Sequence, residues 1–275
     1  GYDEDRRAFA RILSLEGGTA DNVVPDSCRA VIEGFFREDV QMQADRCAAE
    51  TGANFRLCKE NGRLVIEALG VSTHSSTPEM GCNANTAMLC LLSRLPLADS
   101  PLKRALAELA SVFPHGDYRG EKLGIHMEDE ESGPITASLN ILKADGESLE
   151  AVMDARTPLC ASREKLSAAE KILEEKGFTV QADYSEPHYV PADSPLVQTL
   201  LECYEAYSGE KGEAVAMGGG TYVHSIPGGV AFGCAMPDVD NRMHGPDEFA
   251  DIEVLLMSAG IFASAIASLC GKERL

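Results

Sequence analysis

The sequence has few basic residues for its length, and this shortage limits the partners it can have. Its 275 residues include 44 acidic and only 24 basic side chains, which gives a formal net charge of −20. Binding to nucleic-acid phosphates needs a basic surface, so this charge argues against a nucleic-acid partner. The acidic run at 128–131 is interpreted as a solvated loop.

Long apolar runs are also missing from the chain. No run of 18 apolar residues occurs, so the sequence predicts no membrane span and no membrane partner. The first residues are not followed by an apolar stretch that would make a signal peptide. The chain does not begin with Met, and from this we expect that it was processed or cut from a longer protein.

No pair of cysteines has the Cys-x-x-Cys spacing. The nine cysteines are an odd number and are scattered, mostly among apolar neighbours. This pattern favours buried free thiols in a reducing cytoplasm over a disulfide scaffold or a zinc cage. A hydrolase that pairs one of these thiols with His74 stays open as an alternative, although no cysteine stands at a helix start or beside a histidine.

The pattern that is present predicts two parts. Through residue 186, with an insertion at about 97–147 set aside, the elements are strand, helix, strand, strand, helix and strand. This order predicts an α/β (α+β) fold, an open-faced sandwich with helices on one face. The pattern also predicts a hairpin turn at 60–62 and, as the last element of this part, a strand over 178–184. For residues 187–275 the pattern predicts a helix, strands near Val215 and Val230, and a final helix.

Several residues could carry chemistry. His74 lies in a turn of small residues between a strand and a helix, where its ring can face a ligand. His244 precedes two acids at a strand-to-helix turn, a pattern typical of a metal ligand with supporting carboxylates. Consecutive glycines let a backbone approach a ligand closely and bind oxyanions, and they stand here at Gly218, Gly219 and Gly220.

Three further candidate site residues could instead have structural or solvent-exposed roles. Arg156 ends a strand and could bind a substrate carboxylate in a bidentate way, or it could be a solvated arginine. Asn22 is by default a turn residue, and His224 follows the glycine triplet by four positions. The remaining histidines are interpreted as surface or structural residues: His115, His126 and His188.

Five motifs occur together and in a fixed order. They are Gly-Gly-Thr-Ala-Asp-Asn-Val-Val-Pro-Asp (17–26), Ser-Thr-His-Ser-Ser-Thr-Pro-Glu (72–79), Asp-Ala-Arg-Thr-Pro (154–158), Gly-Gly-Gly-Thr-Tyr (218–222) and Met-His-Gly-Pro-Asp-Glu (243–248). The combination resembles the di-zinc metallopeptidases of the carnosinase, aminoacylase and carboxypeptidase-G type. It is similar in particular to bacterial dipeptidase V, the Xaa-His dipeptidase-like branch. The resemblance extends from about Leu13 to the last helix.

The resemblance implies a fold, a reaction and a cofactor. It implies a ferredoxin-like lid over 1–186 and the C-terminal portion of an α/β catalytic domain over 187–275. It implies hydrolysis of a dipeptide substrate by metal-activated water, with Zn²⁺, or alternatively Mn²⁺ or Co²⁺, as the cofactor of the complete enzyme.

The resemblance also implies residue roles. His244 would be a metal ligand, and His74 and Asn22 would be lid residues that stabilise the tetrahedral oxyanion. Arg156 would bind the C-terminal carboxylate of the substrate. The backbone of the glycine triplet and His224, which stands where many relatives have arginine, would line the same pocket.

One departure from the family leads to a further expectation. The segment that supplies the other metal ligands and the general base in this family has no counterpart in the sequence. We therefore expect a truncated part, lid plus C-terminal segment, that is inactive alone and is completed by a missing N-terminal fragment. The alternative is a non-catalytic binding or dimerisation module derived from the lid, which predicts self-association without metal dependence.

Overall fold

The structure is a computed structural model that describes residues 10–233, 239 and 247–271. Residues 1–185 and 186–275 form two compact units. The predicted metal ligand His244 lies outside the described residues, as do residues 243, 245 and 246 of its motif and one of the nine cysteines, Cys234.

A six-stranded antiparallel sheet forms the centre of the first unit. The strands described in this unit are β1 (Arg11–Gly17), β2 (Val23–Val24), β3 (Ser27–Glu33), β4 (Asn54–Glu60), β5 (Arg63–Leu69), β6 (Thr73–His74), β7 (Glu128–Asp129), β8 (Gly133–Pro134), β9 (Thr136–Ala144) and β10 (Leu149–Arg156). The sheet has the spatial order β10-β9-β1-β3-β5-β4, while β2 pairs with β6 and β7 pairs with β8.

Four helices accompany this sheet among the described residues, and they confirm the predicted α/β (α+β) class. They are α1 (Arg37–Thr51), α2 (Ala84–Leu92), α3 (Pro101–Val112) and α4 (Arg163–Glu175). Helix α1 connects β3 to β4, and β5 lies between these two strands and is antiparallel to both. Buried apolar residues of the sheet and the helices form one cluster, and its fully buried members include Ile66 and Met88.

The predicted hairpin between β4 and β5 is confirmed. Asn61 and Gly62 both have positive φ, 49° and 81°, which is the backbone conformation of a two-residue type I′ turn. Asparagine and glycine tolerate this conformation better than other residues, so the local sequence is enough to place the turn.

The predicted strand over 178–184 is wrong. This segment has the alternation of a strand, but it forms no strand in the structure. Phe178 packs against the core, and the Tyr184 hydroxyl bonds to Glu170 of α4. Alternation fits a strand only where a neighbouring backbone offers hydrogen bonds, and the packing against α4 replaces that neighbour.

Strand β9 lies inside the range predicted as an insertion, 97–147, yet it is an interior strand of the main sheet, between β10 and β1. The part of the range before it holds α3 and the small β7–β8 ribbon. The strand that the sequence pattern predicts over 134–143 thus belongs to the main sheet.

The second unit contains two long helices in its described part, α5 (Pro195–Ser208) and α6 (Ile252–Cys270). Their apolar faces meet at Leu200, Cys203 and Ala265. The strands predicted near Val215 and Val230 are wrong, because no strand is assigned at either position. The local sequence there favours extended backbone, but a strand forms only when a second backbone pairs with it.

Helix α6 is the one described helix long and apolar enough to cross a membrane by length and composition. A single helix of this kind is weak evidence, because a core helix of a soluble protein meets the same criterion. Several of its apolar side chains are exposed within the described structure, among them Ile252, Leu256 and Ile266.

Two glycines at the end of β1 allow the chain to turn tightly over β9. A Cβ on Gly17 would lie 1.9 Å from Asn85 Oδ1, and a Cβ on Gly18 would lie 1.7 Å from the carbonyl oxygen of Asn140. Gly18 also has φ +78°, in the left-handed region that favours glycine. Glycine at position 18 therefore lets the loop after β1 lie directly on the β9 backbone, and glycine at position 17 leaves room for Asn85 and Cys28.

We expect Gly18→Ala to lower the free energy of unfolding by about 2–3 kcal/mol, because it adds a steric clash to the cost of positive φ. Gly62→Ala is the matched control. Gly62 also has positive φ, but a Cβ there meets nothing within 4 Å, so this change costs only about 1–2 kcal/mol. Urea unfolding followed by circular dichroism measures both, and equal losses would contradict the close packing on β9.

Candidate functional site

Asn22 and His74 are brought together by the pairing of two short strands. Val23 of β2 lies opposite His74 of β6, and the backbone N–H of Ser75 donates to the carbonyl of Asn22 at 3.0 Å. Asn22 is exposed, while His74 is half-buried. Two residues from distant motifs of the sequence are therefore neighbours in the first unit.

The turn after β6 holds the ring of His74. The Thr77 N–H donates to the carbonyl of His74 at 3.0 Å and closes the turn. The Ser76 N–H donates to His74 Nδ1 at 3.2 Å, and the Ser76 hydroxyl lies 2.8 Å from the same nitrogen. A nitrogen that accepts from a backbone N–H carries no proton, so in the neutral ring the proton is on Nε2. His74 is thereby arranged as a hydrogen-bond donor through Nε2.

Strand β9 contains a row of polar side chains that the sequence analysis missed. Thr136, Ser138 and Asn140 alternate with apolar residues and are each at most 5% exposed. The Thr136 hydroxyl donates to the carbonyl of Ser75 at 2.9 Å, next to His74. The signal in the sequence is a polar residue at every second position of a strand, which usually indicates a solvent-exposed face.

Arg156 lies beside this row, at the end of β10. It is the sheet partner of Thr136, and its Nε bonds to Asp154 Oδ2 at 2.7 Å. The side chains of Arg156 and Asp154 are each 24% exposed. The structure thus groups Asn22, His74 and Arg156 around β9, with Thr136 as the residue that neighbours both Arg156 and the His74 turn.

The acidic run at 128–131, interpreted as a solvated loop, contains one carboxylate that makes structural contacts. Asp129 accepts hydrogen bonds from the hydroxyl and backbone N–H of Ser132, both at 2.7 Å, and from the N–H of Cys160 at 2.8 Å. These bonds, those from Ser132 first, lower the pKa of Asp129 from 3.8 to about 2. Asp129 thereby ties the β7–β8 ribbon to the loop that follows Arg156.

The other candidates belong to the second unit. Gly219 and Gly220 have room for a Cβ within the described structure, so packing alone does not require glycine at these positions. The ring of His224 contacts the backbone of Thr221 through Nδ1, and its centroid lies 5.4 Å from that of His188. His188 in turn contacts the carbonyl of Gly229.

The described residues do not by themselves build a metal centre. Within 10–233, 239 and 247–271, no group of three or more histidine, cysteine, aspartate or glutamate side chains could hold a metal ion. A structural or catalytic zinc site needs three or more protein ligands. The residues present therefore do not fit a metal site without further ligands, and His244 lies outside the described residues.

The described cysteines are free thiols, and several are unsuited to act as nucleophiles. Burial raises the pKa of Cys28 and Cys82, and burial, followed by contact with Cys90, raises the pKa of Cys47 to about 12. A thiol attacks only as its thiolate, and a raised pKa depletes that form. This counts against a cysteine-based hydrolase that uses any of these three.

His115, interpreted as a structural histidine, contacts Thr86 Oγ1 through Nδ1 at 2.8 Å. Burial lowers its pKa, so the ring is held neutral. It connects the segment after α3 to α2, and this contact agrees with a structural role.

Comparison with known proteins gives one family. The sequence pattern described as peptidase family M20/M25/M40 matches residues 14–268. YtjP of Bacillus subtilis strain 168, provisionally named a dipeptidase, is 34% identical over 261 residues, which are 94% of this chain and 56% of that protein.

Two other relatives are similar in extent. The Beta-Ala-Xaa dipeptidase of Lactobacillus delbrueckii subsp. lactis is 32% identical over 279 residues, 99% of this chain and 58% of that protein. A protein of Staphylococcus haemolyticus strain JCSC1435, also provisionally named a dipeptidase, is 27% identical over 98% of this chain and 57% of its own length. The chain thus spans less than two thirds of the length of these relatives.

We expect Asp129 to stabilise the first unit only while it is ionised. Its pKa is lower in the folded state, so its contribution is complete above about pH 4 and is lost as the pH falls towards about 2. The difference in unfolding stability between the wild type and Asp129→Asn should therefore shrink over that pH range. Glu130→Gln removes the same charge from the same ribbon and is the control. An Asp129→Asn deficit that did not change with pH would contradict this assignment.

Proposed function

This chain belongs to peptidase family M20/M25/M40, and from that premise we propose that it is part of a metal-dependent hydrolase of dipeptides. The names of its relatives support the reaction class, since they describe these proteins as dipeptidases. In this proposal residues 1–186 act as a lid over the substrate and 187–275 contribute the C-terminal portion of the catalytic domain. We also propose a cytoplasmic location, on the pattern of scattered free thiols.

The observation that carries the proposal is the position of Asn22 beside His74. Hydrolysis of a peptide bond builds negative charge on the carbonyl oxygen, and fixed hydrogen-bond donors stabilise that charge without reorganising. The contacts at Nδ1 of His74 leave the proton of the neutral ring on Nε2, and the Asn22 amide, one residue before β2, supplies a second donor. We propose that both residues donate hydrogen bonds to the oxyanion.

Arg156 is assigned to the carboxylate at the end of the dipeptide. Its guanidinium is a bidentate partner for a carboxylate, and Asp154 holds its Nε at 2.7 Å. A fixed positive group at a set distance from the reacting carbonyl favours substrates of one length. In the second unit, the backbone of Gly218, Gly219 and Gly220 and the ring of His224 are assigned to the substrate pocket.

The cofactor is proposed as Zn²⁺, with Mn²⁺ or Co²⁺ as alternatives, and His244 as one ligand. The described residues supply no further cluster of ligands, so no step of the reaction is derived through the metal. We propose that other ligands and the general base come from outside these 275 residues. Two observations support this: the relatives are longer, and α6 exposes apolar side chains that a further layer would cover.

We expect the 275-residue chain to hydrolyse no dipeptide, and the protein made from its longest open reading frame to do so with Zn²⁺, Mn²⁺ or Co²⁺. The panel includes β-alanyl dipeptides, because one relative is named for them. His244→Ala should abolish the activity of the longer protein. Metal-dependent turnover by the 275 residues alone would show that they build a complete site. Stable self-association with no turnover in either protein would favour a binding or dimerisation module.

We expect Arg156→Ala to lower kcat/KM for a free dipeptide in the longer protein by about 10–100-fold, the cost of a lost hydrogen bond to a charged group. A dipeptide with an amidated C-terminus is the matched substrate, because it lacks the carboxylate. It should already be poor for the wild type and lose little more in the variant. Equal losses for both substrates would contradict a carboxylate-binding role for Arg156.

A further inference from the structure

Asn140 lies on β9 at a place where both the Asn22 loop and the His74 turn contact this strand. Its side chain is 0% exposed. Asn140 Nδ2 donates to the carbonyl of Asp21 at 2.5 Å and to Ser75 Oγ at 2.7 Å. These partners are the chain neighbours of Asn22 and His74, so one amide group contacts both segments.

The orientation of this amide is fixed by its partners. The Ser138 hydroxyl donates to Asn140 Oδ1 at 2.6 Å, and a backbone carbonyl such as that of Asp21 can only accept. Reversing the amide would place its oxygen against the Asp21 carbonyl and its NH₂ against the hydroxyl of Ser138. The described orientation is therefore the one that satisfies the buried groups.

The contact continues to helix α2. Asn83 accepts from the backbone N–H groups of Asn85 and Thr86 and caps the helix, while its Nδ2 lies 3.3 Å from Ser138 Oγ and 3.0 Å from the carbonyl of Leu139. A chain of hydrogen bonds thus leads from the helix start through Ser138 to Asn140. A fully satisfied buried network of this kind rigidifies the groups that it connects.

From this arrangement we propose that Asn140 is a positioning residue that sets Asn22 and His74 in one geometry as paired hydrogen-bond donors. The catalytic meaning of that geometry rests on the proposed function, whereas the coupling of the two segments does not. Asn140 itself touches no reacting atom. It acts by holding the Asp21 carbonyl and Ser75 Oγ, and Thr136 adds a second bond to the Ser75 carbonyl.

If Asn140 only contributed to packing, replacing another buried asparagine would have the same effect on the two segments. Asn85 is the matched control for this possibility. Asn85 is also 0% exposed, and its Nδ2 bonds to the carbonyls of Gly17 and Leu139 and not to the segments in question. Replacing either asparagine by alanine removes a buried amide of the same size. Only Asn140→Ala removes a bond to both the Asn22 loop and the His74 turn.

The first measurement is amide hydrogen exchange by NMR on the 275-residue chain. The reporter is the amide at position 75, which donates to Asn22, and its exchange rate is divided by that of Ala30 in the sheet core. We expect Asn140→Ala to raise this ratio about tenfold or more, because two hydrogen bonds to the segments are lost, and Asn85→Ala to leave it unchanged. The His74 ring nitrogens should also report a smaller share of the Nε2–H form in Asn140→Ala.

A second variant keeps the test decisive if Asn140→Ala does not fold. Ser75→Ala removes the partner of Asn140 on the His74 side only, and should raise the ratio in the same direction. A ratio that stays at the wild-type value in the folded variants overturns the proposal. In the longer, active protein, Asn140→Ala should lower kcat with little change in KM. A raised ratio with unchanged kcat would leave the coupling standing and overturn the proposed roles of Asn22 and His74.

Discussion

The buried polar row of β9 is the constraint on which the first unit depends. Thr136, Ser138 and Asn140 are buried. A buried polar group without a hydrogen-bond partner lowers the free energy of unfolding by an amount comparable to a lost hydrogen bond. Their partners come from two loops and the start of α2, so the loops must lie where these groups can reach them. Gly18 makes this possible, because its backbone rests against Asn140 with no room for a Cβ.

The same constraint determines which groups lie near β9. The Asn22 and His74 segments meet through the pairing of β2 with β6, the His74 ring is held by its own turn, and Arg156 is the sheet partner of Thr136 and forms an ion pair with Asp154. Neutral donors suit a charge that develops during a reaction, while a permanent cation suits a charge already on the substrate. The roles that we propose for these residues match the reaction class that family membership supports.

Local sequence patterns predicted the structure correctly where the conformation depends only on the residues of the segment itself. The turn at 60–62 needs residues that accept positive φ, and the chain has Asn61 and Gly62 there. The alternation at 178–184 misled because a strand also needs a neighbouring backbone, whereas here Phe178 packs against the core and the Tyr184 hydroxyl bonds to Glu170 of α4. The strands expected near Val215 and Val230 are absent from the described residues for the same reason.

The sequence alone determined the α/β class, the family resemblance and the residues worth testing, because helix and turn propensities and ordered motifs are properties of short segments. Only the tertiary structure decided that the pairing of β2 with β6 brings Asn22 beside His74, that the Ser76 backbone N–H donates to Nδ1 of His74, and that Asn140 joins the two segments. Asn140 looks like a solvent-facing strand residue in the sequence. It proves to be buried, because segments distant along the chain fold over it, and no local pattern encodes that contact.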